Sequence, residues 1–381
     1  MEPVSPVKND EKTPSGSLPL RVLVVPLDWG LGHATRCIPL IRALLDRGAG
    51  VWLAGEGAQE KLLREAFPAL PFLALKGYRV RYAKTARGLA WKMLLQLPRL
   101  FRAVRYEQQW LQQAVEQYGF HAVISDNRYG LYHSSIPAVL ITHQLSIQSP
   151  PGTWAGKLIR RLNYKYINRF SQCWVPDHAG PANLAGILSH PDIMPDIPVT
   201  YTGPLSRFSK TAGATGKDHL LILLSGPEPQ RSLLEEIMIR AISQYSGTAT
   251  LVRGLPGHTT HLPSTEMIQC YNHLPAETLQ AEMEKASLLI ARSGYSTLMD
   301  AAVLGKKCIF IPTPGQTEQE YLARYCMEKG WALAVPQDSF SLETALQTAK
   351  AFSFREFPAA DPEGPGRAVQ SLLQWAGRDL G

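Results

Sequence analysis

The fold of this chain is decided between Leu288 and Arg324, where the sequence reads LLIARSGYSTLMDAAVLGKKCIFIPTPGQTEQEYLAR. The apolar run Leu288–Ala291 predicts a short buried strand, and Ser296–Leu304 predicts a helix that the following glycine ends. A second apolar run, Cys308–Ile311, predicts another strand, which a proline stops and a further helix follows. Strands and helices that alternate in this order predict a parallel sheet covered by helices, the α/β class.

Polar segments follow both predicted strands, at Arg292–Ser296 and at Thr313–Glu320. In open parallel sheets, ligands bind beyond the carboxyl ends of the strands, which is where both segments are predicted to lie. The first segment places a serine and a glycine at a helix N-terminus, a position that suits anionic oxygens. The carboxylates of Asp300 and Glu320 suit sugar hydroxyls, so the stretch predicts a site for a phosphorylated sugar.

The run from Arg292 to Arg324 resembles the donor-binding segment of GT-B glycosyltransferases. It is most similar to their family 28 branch, which includes the bacterial transferase that adds N-acetylglucosamine to the lipid-linked peptidoglycan precursor, and the plastid galactolipid synthases. The shared pattern is a Ser-Gly pair, an acidic residue six positions after the glycine, an apolar strand with a proline, and a Gln- or Glu-rich pair. An ordinary doubly wound domain with polar strand ends is the alternative interpretation. The resemblance implies donor contacts by Ser293 and Gly294, by Asp300 on the ribose hydroxyls, and by Gln319 and Glu320 on the donor sugar.

The composition predicts a folded protein of two domains from a reducing compartment. The chain has 381 residues, of which 45% are hydrophobic and 19% charged, and its net charge is +7. That length allows two domains of ordinary size. The five cysteines show no CxxC or Cys/His spacing, which predicts buried thiols and argues against disulfides or a metal site. No run of about 18 uncharged apolar residues and no signal peptide is recognised, so a cytoplasmic location is expected.

A glycine loop follows the first predicted strand, Arg21–Leu27. It reads DWGLGH and precedes a helix predicted from Thr35 onward. The loop is a poor dinucleotide fingerprint, because Thr35 stands where the third glycine would be. It instead resembles the first glycine loop of GT-B enzymes, which implies that Gly30 and Gly32 lie beside the acceptor.

His33, the last residue of this loop, is a candidate general base. A neutral imidazole is well poised to accept a proton near neutral pH, and an acceptor hydroxyl must lose one as it attacks a sugar. A carboxylate that fixes the tautomer would support that role, and Asp126 follows the predicted strand Ala122–Ser125. The alternatives are a capping or packing role for His33 and a turn or helix-capping role for Asp126. The resemblance implies acceptor contacts by Asn127 and His143, and it leaves His143 as a second candidate for the base.

The second half of the chain begins with the predicted strand His219–Leu224. A loop with a Ser-Gly pair and an arginine follows, and the resemblance implies that it lies near the donor diphosphate, where backbone N–H groups suit anions. Two prolines and Glu228 depart from the Gly-Gly-Ser pattern of the family; prolines remove donors, and a carboxylate repels phosphate. The run Gly203–Arg207 resembles the interdomain hinge of the family. The donor contacts that the resemblance implies in these segments are Arg207, Ser225, Gly226, Arg231 and His273.

Basic and apolar residues are interleaved, with no Asp or Glu, between Ala66 and Tyr106 and again in Trp154–Phe170. Basic amphipathic helices with aromatic residues bind anionic membrane interfaces, each Lys or Arg contributing about 1 kcal/mol. The segment Lys76–Arg105 therefore predicts a peripheral contact with the inner face of the cell membrane. A core-packing helix with a solvated basic face is the alternative. Nucleic acid is not expected as a partner, because no recognition motif accompanies the charge.

These features together predict an α/β protein with the GT-B fold, in which two Rossmann-like doubly wound domains face each other across a cleft. The expected parts are a disordered tail at 1–18, an acceptor-binding domain at 19–207, a linker at 208–217, a nucleotide-sugar-binding domain at 218–365, and a C-terminal helix at 366–381 that packs back on the first domain.

The resemblance implies an inverting transfer of a hexose or N-acetylhexosamine from a UDP-sugar to an acceptor hydroxyl, with a lipid or lipid-linked acceptor preferred. No cofactor is expected besides the UDP-sugar co-substrate, and no metal is expected for the chemistry; the chain has no Asp-x-Asp motif. The donor sugar stays open among glucose, galactose and N-acetylglucosamine. A UDP-N-acetylglucosamine 2-epimerase of the same fold and a non-catalytic nucleotide-sugar-binding protein are the alternatives.

Overall fold

The computed structural model of the protein describes residues 19–78, 86–147, 154–211 and 218–378, and of residues 86–97, 154–155 and 378 it describes the backbone alone. The predicted tail at 1–18, residues 212–217 of the predicted linker and residues 79–85 of the basic segment lie outside the described residues.

The N-terminal half is built on a parallel sheet. Its strands are β1 (Arg21–Pro26), β2 (Gly50–Gly55), β3 (Phe72–Ala74), β4 (Ala122–Asp126), β5 (Ala138–Ile141), β6 (Gln172–Val175) and β7 (Val199–Tyr201). Its helices are α1 (Leu31–Leu45), α2 (Ala58–Ala66), α3 (Ala86–Tyr118) and α4 (Trp154–Ile167). In the described residues the strand order is β3-β2-β1-β4-β5-β6-β7. The central strands are buried along their length because helices cover both faces of the sheet.

The C-terminal half repeats this plan. Its strands are β8 (His219–Leu223), β9 (Thr248–Val252), β10 (Ile268–Tyr271), β11 (Leu288–Ala291), β12 (Cys308–Phe310) and β13 (Ala332–Ala334). Its helices are α5 (Gln230–Ile242), α6 (Ala276–Lys285), α7 (Tyr295–Leu304), α8 (Thr317–Glu328), α9 (Leu342–Ala351) and α10 (Gly364–Arg378). The described strands pair in parallel in the order β10-β9-β8-β11-β12-β13. Both sheets therefore have the doubly wound order, and the predicted pair of Rossmann-like domains is confirmed.

The strand order reverses between β1 and β4 in the first sheet and between β8 and β11 in the second. The crevice at the carboxyl ends of such neighbouring strands is where doubly wound sheets bind ligands. The helix α1 follows β1, and α7 follows β11, so the N-termini of these two helices lie at the two crevices. The residues that end β1, β4, β8 and β11 are therefore candidates for the functional site.

The last helix, α10, follows the second half in sequence but packs on α1 of the first. Its residues Ala368, Val369 and Leu372 are buried in an apolar cluster that also contains α1 side chains. The same cluster includes Leu298 of α7 and Leu322 of α8. The two halves therefore share a continuous apolar core instead of meeting only through polar surfaces.

Two helices begin earlier than the sequence predicts. The helix α1 begins at Leu31 and not at Thr35, and α8 begins at Thr317, inside the predicted polar segment Thr313–Glu320. Neither has a side chain that caps its N-terminus, and sequence-based boundaries depend on such capping residues. As a result, several of the predicted site residues lie in first helical turns instead of loops.

Candidate active site

Two glycines bring the N-terminus of α1 into the crevice between the halves. Gly30 has a φ of 103°, a conformation that favours glycine, and the loop turns there before the helix begins. Gly32 lies against α7 of the second half, where the Ser296 Oγ donates to the Gly32 carbonyl over 3.1 Å. A Cβ on Gly32 would lie 2.5 Å from that Oγ. The N-termini of α1 and α7 therefore meet, and Gly32 makes the close approach possible.

His33, in the first turn of α1, faces Asp126 at the end of β4. The Nδ1 of His33 lies 3.3 Å from both carboxylate oxygens of Asp126. Parallel pairing of β1 with β4 brings the two residues to the same edge of the sheet. The Asp126 side chain is fully buried, whereas 17% of the His33 side chain is exposed. The ring turns Nδ1 to the carboxylate and leaves Nε2 on its other side, the arrangement of a His–carboxylate pair in which Nε2 accepts a proton.

Arg36, one turn further along α1, pairs with the same carboxylate. Its Nε donates to the Asp126 Oδ2 over 2.7 Å, its Nη2 donates to the Asp126 Oδ1, and its Nη2 lies 2.8 Å from the His33 Nδ1. Burial and the neighbouring Arg36 charge lower the pKa of His33. Burial alone would raise the pKa of Asp126, but Arg36 and His33 outweigh it and hold this pKa below its usual value. The site therefore holds a neutral imidazole beside an ionised carboxylate.

His143 follows β5, and its imidazole reaches across to the second half. Its Nε2 lies 2.8 Å from the Glu318 Oε1, and the Gln144 side-chain amide donates to the other oxygen of the same carboxylate. The His143 ring also stacks on Tyr295, with the centroids 4.1 Å apart and the planes 10° apart. His143 is thus paired with a carboxylate of the opposite half, while His33 is paired with one in its own half.

The predicted ribose carboxylate, Asp300, lies where the chain enters the second half. It accepts a hydrogen bond of 2.6 Å from the Ser206 Oγ. Burial raises the pKa of Asp300 to about 6, and the nearby charge of Arg207 opposes that rise. The charges of Arg207 and Glu65 also act on His273, whose pKa burial lowers. The structure therefore gathers the predicted residues Arg207, His273 and Asp300 into one cluster beside the hinge.

Two glycines line the region between β8 and β11, which are neighbours in the sheet. Gly294 precedes α7, and no atom lies within 4 Å of the position that a Cβ would take. Gly226 has a φ of 106° and is equally open. Ser225, next to it, is partly buried. These backbone segments leave room for an anionic group at the N-terminus of α7.

Three predicted donor contacts are instead engaged with the protein. The Ser293 Oγ is buried and donates to the Gln319 carbonyl over 2.8 Å, while the Gln319 Oε1 accepts from the Thr313 N–H. The Glu320 Oε1 accepts from the Gly315 N–H over 2.7 Å. These side chains hold the loop between β12 and α8 in shape. Glu318 is the residue of this segment whose carboxylate meets the opposite half.

Arg231 and Asn127 are also committed to neighbours. Arg231 donates from Nε to the Glu228 Oε1 over 2.6 Å and from Nη1 to Glu235, so two carboxylates neutralise the cation that was predicted to meet the diphosphate. Asn127, with φ 54°, has its amide oriented so that its oxygen accepts from Arg36 and its nitrogen donates to the Thr142 Oγ1 and the Ile141 carbonyl. Both side chains thus bond to their neighbours in the protein, and their predicted contacts with a diphosphate and an acceptor stay predictions.

Arg292 was not predicted as a site residue, yet it joins several donor-side loops. It is 1% exposed and donates to the carbonyls of Ile311, Pro312 and Gln230 and to the Gln337 Oε1. Burial lowers its pKa to about 10. An arginine placed directly after a buried strand is the sequence signal that could have identified it, since a cation rarely ends a buried strand without partners.

The basic segment of the first half continues as helix α3, which contacts α4. Phe101 of α3 stacks on Tyr166 of α4, with centroids 6.3 Å apart, and Arg169 lies 4.7 Å over the same Tyr166 ring. Leu158 and Leu162 of α4 are 48% and 42% exposed. We call the exposed Leu158 and Leu162, together with the neighbouring Arg160 and Arg161, the α3–α4 patch. Across the described residues, no helix combines the length and the apolar content that crossing a membrane requires.

Comparisons with known proteins find similarity to glycosyltransferases, both for part of the second half and for most of the chain. Residues 266–365 match the model of the glycosyltransferase family 28 C-terminal domain. The UDP-N-acetylglucosamine--N-acetylmuramyl-(pentapeptide) pyrophosphoryl-undecaprenol N-acetylglucosamine transferase of Pasteurella multocida is 23% identical, over 94% of this chain and 98% of that protein. An uncharacterized glycosyltransferase of Methanosarcina acetivorans is 21% identical, over 82% of this chain and 84% of that protein.

Solved glycosyltransferase structures share the two-domain arrangement. The glycosyltransferase SnogD from Streptomyces nogalater superposes with a TM-score of 0.61 at 16% identity, over 94% of this chain and all of that one. The spinosyn rhamnosyltransferase SpnG, solved in complex with thymidine diphosphate, has a TM-score of 0.57 at 17% identity, over 94% of this chain and 96% of that one. These likenesses confirm the predicted GT-B fold.

Proposed function

Because this chain is a family 28-like glycosyltransferase of the GT-B fold, we propose that it moves a hexose or N-acetylhexosamine from a UDP-sugar to an acceptor hydroxyl with inversion. The observation that carries the proposal is the His33–Asp126 pair at the N-terminus of α1, directly opposite the N-terminus of α7. The candidate base on one half thus faces the N-terminus of a helix on the other. That pairing is what a single displacement between an acceptor and a nucleotide-sugar requires.

In the proposed reaction, the acceptor hydroxyl attacks the anomeric carbon while the His33 Nε2 takes its proton. Asp126 offsets the positive charge that develops on the imidazole, as in other His–carboxylate pairs. The bond to UDP breaks on the opposite face of the sugar. The backbone N–H groups that begin α7 at Gly294, and the Arg207 guanidinium, offset the charge of the leaving diphosphate.

The cluster of Arg207, His273 and Asp300 beside the hinge supports a nucleotide-sugar as the donor. The hydrogen bond from the Ser206 hydroxyl to Asp300 is of the kind that a ribose hydroxyl would make with the same carboxylate. The Pasteurella relative has a UDP-sugar in its name, which supports uridine as the nucleoside of the donor. Glucose, galactose and N-acetylglucosamine all stay open as the donor sugar, which is left to experiment.

The test of the proposal is transfer from UDP-glucose, UDP-galactose and UDP-N-acetylglucosamine to two acceptors, diacylglycerol in vesicles and a polyprenyl diphosphate-linked sugar, with and without EDTA. We expect His33→Ala to lower kcat by about 10²- to 10⁴-fold, because the acceptor proton then has no base. The Kd for UDP should stay unchanged, since His33 belongs to the other half. Transfer is expected to persist in EDTA.

The control for this test is His121→Ala, because His121 directly precedes β4 and lies at the opposite end of that strand from Asp126. It should retain wild-type kcat. A His33→Ala protein that keeps full transfer activity would contradict the proposed base. Formation of UDP-N-acetylmannosamine without any acceptor would favour the epimerase, and UDP-sugar binding without turnover would favour the non-catalytic alternative.

The acceptor is proposed to be a lipid or lipid-linked molecule reached at an anionic membrane surface through the α3–α4 patch. The exposed Leu158 and Leu162 lie among Lys157, Arg160 and Arg161, with no acidic residue in α4. Insertion of both leucines would contribute on the order of 3 kcal/mol, and each arginine near the surface about 1 kcal/mol. Together these contributions suffice for reversible peripheral binding.

Flotation with anionic liposomes tests the membrane proposal. We expect Leu158→Ser/Leu162→Ser to lower the membrane-bound fraction by about tenfold or more at low salt, because the apolar contacts are lost. The matched control is Leu233→Ser/Met327→Ser, which removes two side chains of similar exposure, 42% and 45%, from the second half. Equal flotation of the two variants, or no flotation of the wild type, would remove the α3–α4 patch from the proposal.

A further inference from the structure

We propose that Arg36 is a positioning residue of the transfer reaction, which holds the Asp126 carboxylate and a neutral His33 in the arrangement that leaves the His33 Nε2 free to take the acceptor proton. The inference rests on the proposed role of His33 and goes beyond it, because it concerns a buried cation that the His–carboxylate pair alone does not require. Arg36 is 2% exposed, so it acts through its neighbours and not on the substrate.

The hydrogens of Arg36 can be assigned one by one. The Nε hydrogen goes to the Asp126 Oδ2 at 2.7 Å, and one Nη2 hydrogen goes to the Asp126 Oδ1. The Asn127 oxygen lies 3.0 Å from the same Nη2, in the amide orientation that also lets the Asn127 nitrogen donate to the Thr142 Oγ1 at 2.8 Å. The second Nη2 hydrogen is thereby used by Asn127.

This assignment implies a tautomer for His33. Nη2 has two hydrogens and three neighbours that can accept them, the Asp126 Oδ1, the Asn127 oxygen and the His33 Nδ1 at 2.8 Å. We assign the two hydrogens to Asp126 and Asn127, which leaves none for Nδ1. The remaining partner of Nδ1 is the Asp126 carboxylate at 3.3 Å, which only accepts. Nδ1 therefore carries the hydrogen, and Nε2 carries the lone pair. The opposite tautomer would place a hydrogen on Nε2 and block proton transfer from an acceptor.

Charge gives Arg36 a second effect on His33. The charged or titratable groups that face the imidazole are Arg36 on α1, Asp126 on β4, His143 after β5 and Glu318 on α8. Burial disfavours the imidazolium, Arg36 adds to that effect and Asp126 opposes it, so that the pKa of His33 stays below its ordinary value. Without the guanidinium, burial would be the main effect that opposes the carboxylate. The pKa of His33 would then rise, and less of the imidazole would be neutral and able to act as a base.

Arg36→Lys is the main test, because it keeps the charge but not the forked geometry of the guanidinium. We expect kcat to fall by about 10- to 100-fold with the KM for the UDP-sugar unchanged, since an ammonium lacks the planar fork with which the guanidinium bonds both oxygens of Asp126. The low-pH limb of the pH profile of kcat/KM should stay near its wild-type position. Arg36→Met should instead shift that limb to higher pH by one pH unit or more. Arg42→Lys, an exposed arginine of the same helix, is the control.

A spectroscopic readout separates this inference from the proposed function. Ring ¹⁵N chemical shifts of His33 in histidine-labelled full-length protein, assigned with His33→Gln, distinguish the two tautomers without any substrate. We expect the Nδ1–H form in the wild type above pH 7 and a mixture in Arg36→Lys, whether or not transfer has been detected. If Arg36→Met does not fold, Arg36→Met/Asp126→Asn removes both buried charges together and should fold with a mixed tautomer.

Three outcomes would overturn the role of Arg36. One is a wild-type His33 that carries its hydrogen on Nε2. Another is an Arg36→Lys protein whose kcat, pH profile and ¹⁵N shifts all match the wild type while His33→Ala is inactive. Loss of stability alone, with unchanged shifts and kcat in the folded fraction, would likewise assign Arg36 to the fold and not to the reaction.

Discussion

Asp126→Asn is expected to lower kcat by about 10³- to 10⁴-fold, with little change in the Kd for UDP. An amide at this position has no charge with which to stabilise an imidazolium on His33, and it can present either an oxygen or an NH₂ to Nδ1. The substitution also leaves Arg36 without its buried counter-ion. Breaking such a buried pair costs about 3–5 kcal/mol, so we expect a lower midpoint of urea unfolding as well.

Steady-state kinetics, calorimetric titration with UDP and urea unfolding measure the three effects of Asp126→Asn separately. Asp46→Asn is the control, because Asp46 caps the other end of α1 through its backbone and is exposed. A kcat within tenfold of the wild type in the folded protein would rule out Asp126 as the partner of the base.

Gly32→Val is expected to lower kcat/KM by about 10²-fold or more, because a displacement on the scale of 1 Å between reacting groups has an effect of that size. The branched side chain would occupy the space of Ser296, whose Oγ and Cβ lie 2.5 and 3.0 Å from the position of a Cβ on Gly32. The N-termini of α1 and α7 would be held apart. Each half should stay folded, since the obstruction lies between them.

A compensating pair tests this steric explanation for Gly32. Gly32→Ala should reduce kcat/KM less than Gly32→Val, and Ser296→Gly should restore part of the loss in the Gly32→Ala background by removing the obstructing atoms. Ser296→Gly alone reports the value of its hydrogen bond to Gly32. If Gly32→Val retains wild-type kcat/KM, the contact between the two helix ends has no part in transfer.

The sequence predicted the second half well where its signals are local. The strand β11 matches its predicted bounds residue for residue. The apolar run Leu288–Ala291 has a polar neighbour on each side, and Gly305 ends α7 with a φ of 64°, the conformation that glycine favours. Parallel strands buried on both faces give continuous apolar runs, which is why strands such as β1, β4 and β8 were recognised.

The site was harder to predict because it depends on buried charge. Sequence patterns treat arginine as a surface residue, so Arg36 and Arg292 were not singled out although each is almost fully buried. Four consecutive polar residues begin α8, and no periodicity indicates which of them faces the first half. Glu318 faces it, and the side chains of the predicted pair Gln319 and Glu320 bond within their own loop. Pairings that join residues about a hundred or more positions apart leave no trace in local sequence.

The position of α10 has a mechanical consequence. The chain passes from the first half to the second near Ser206, and it returns when α10 packs on α1. Two bodies connected at two separate points retain one easy relative motion, a rotation about the line through those points. Atoms near that line, such as the Ser206–Asp300 pair, travel little during the rotation, whereas groups far from it travel most. We therefore expect substrate exchange to follow a rotation about these two connections.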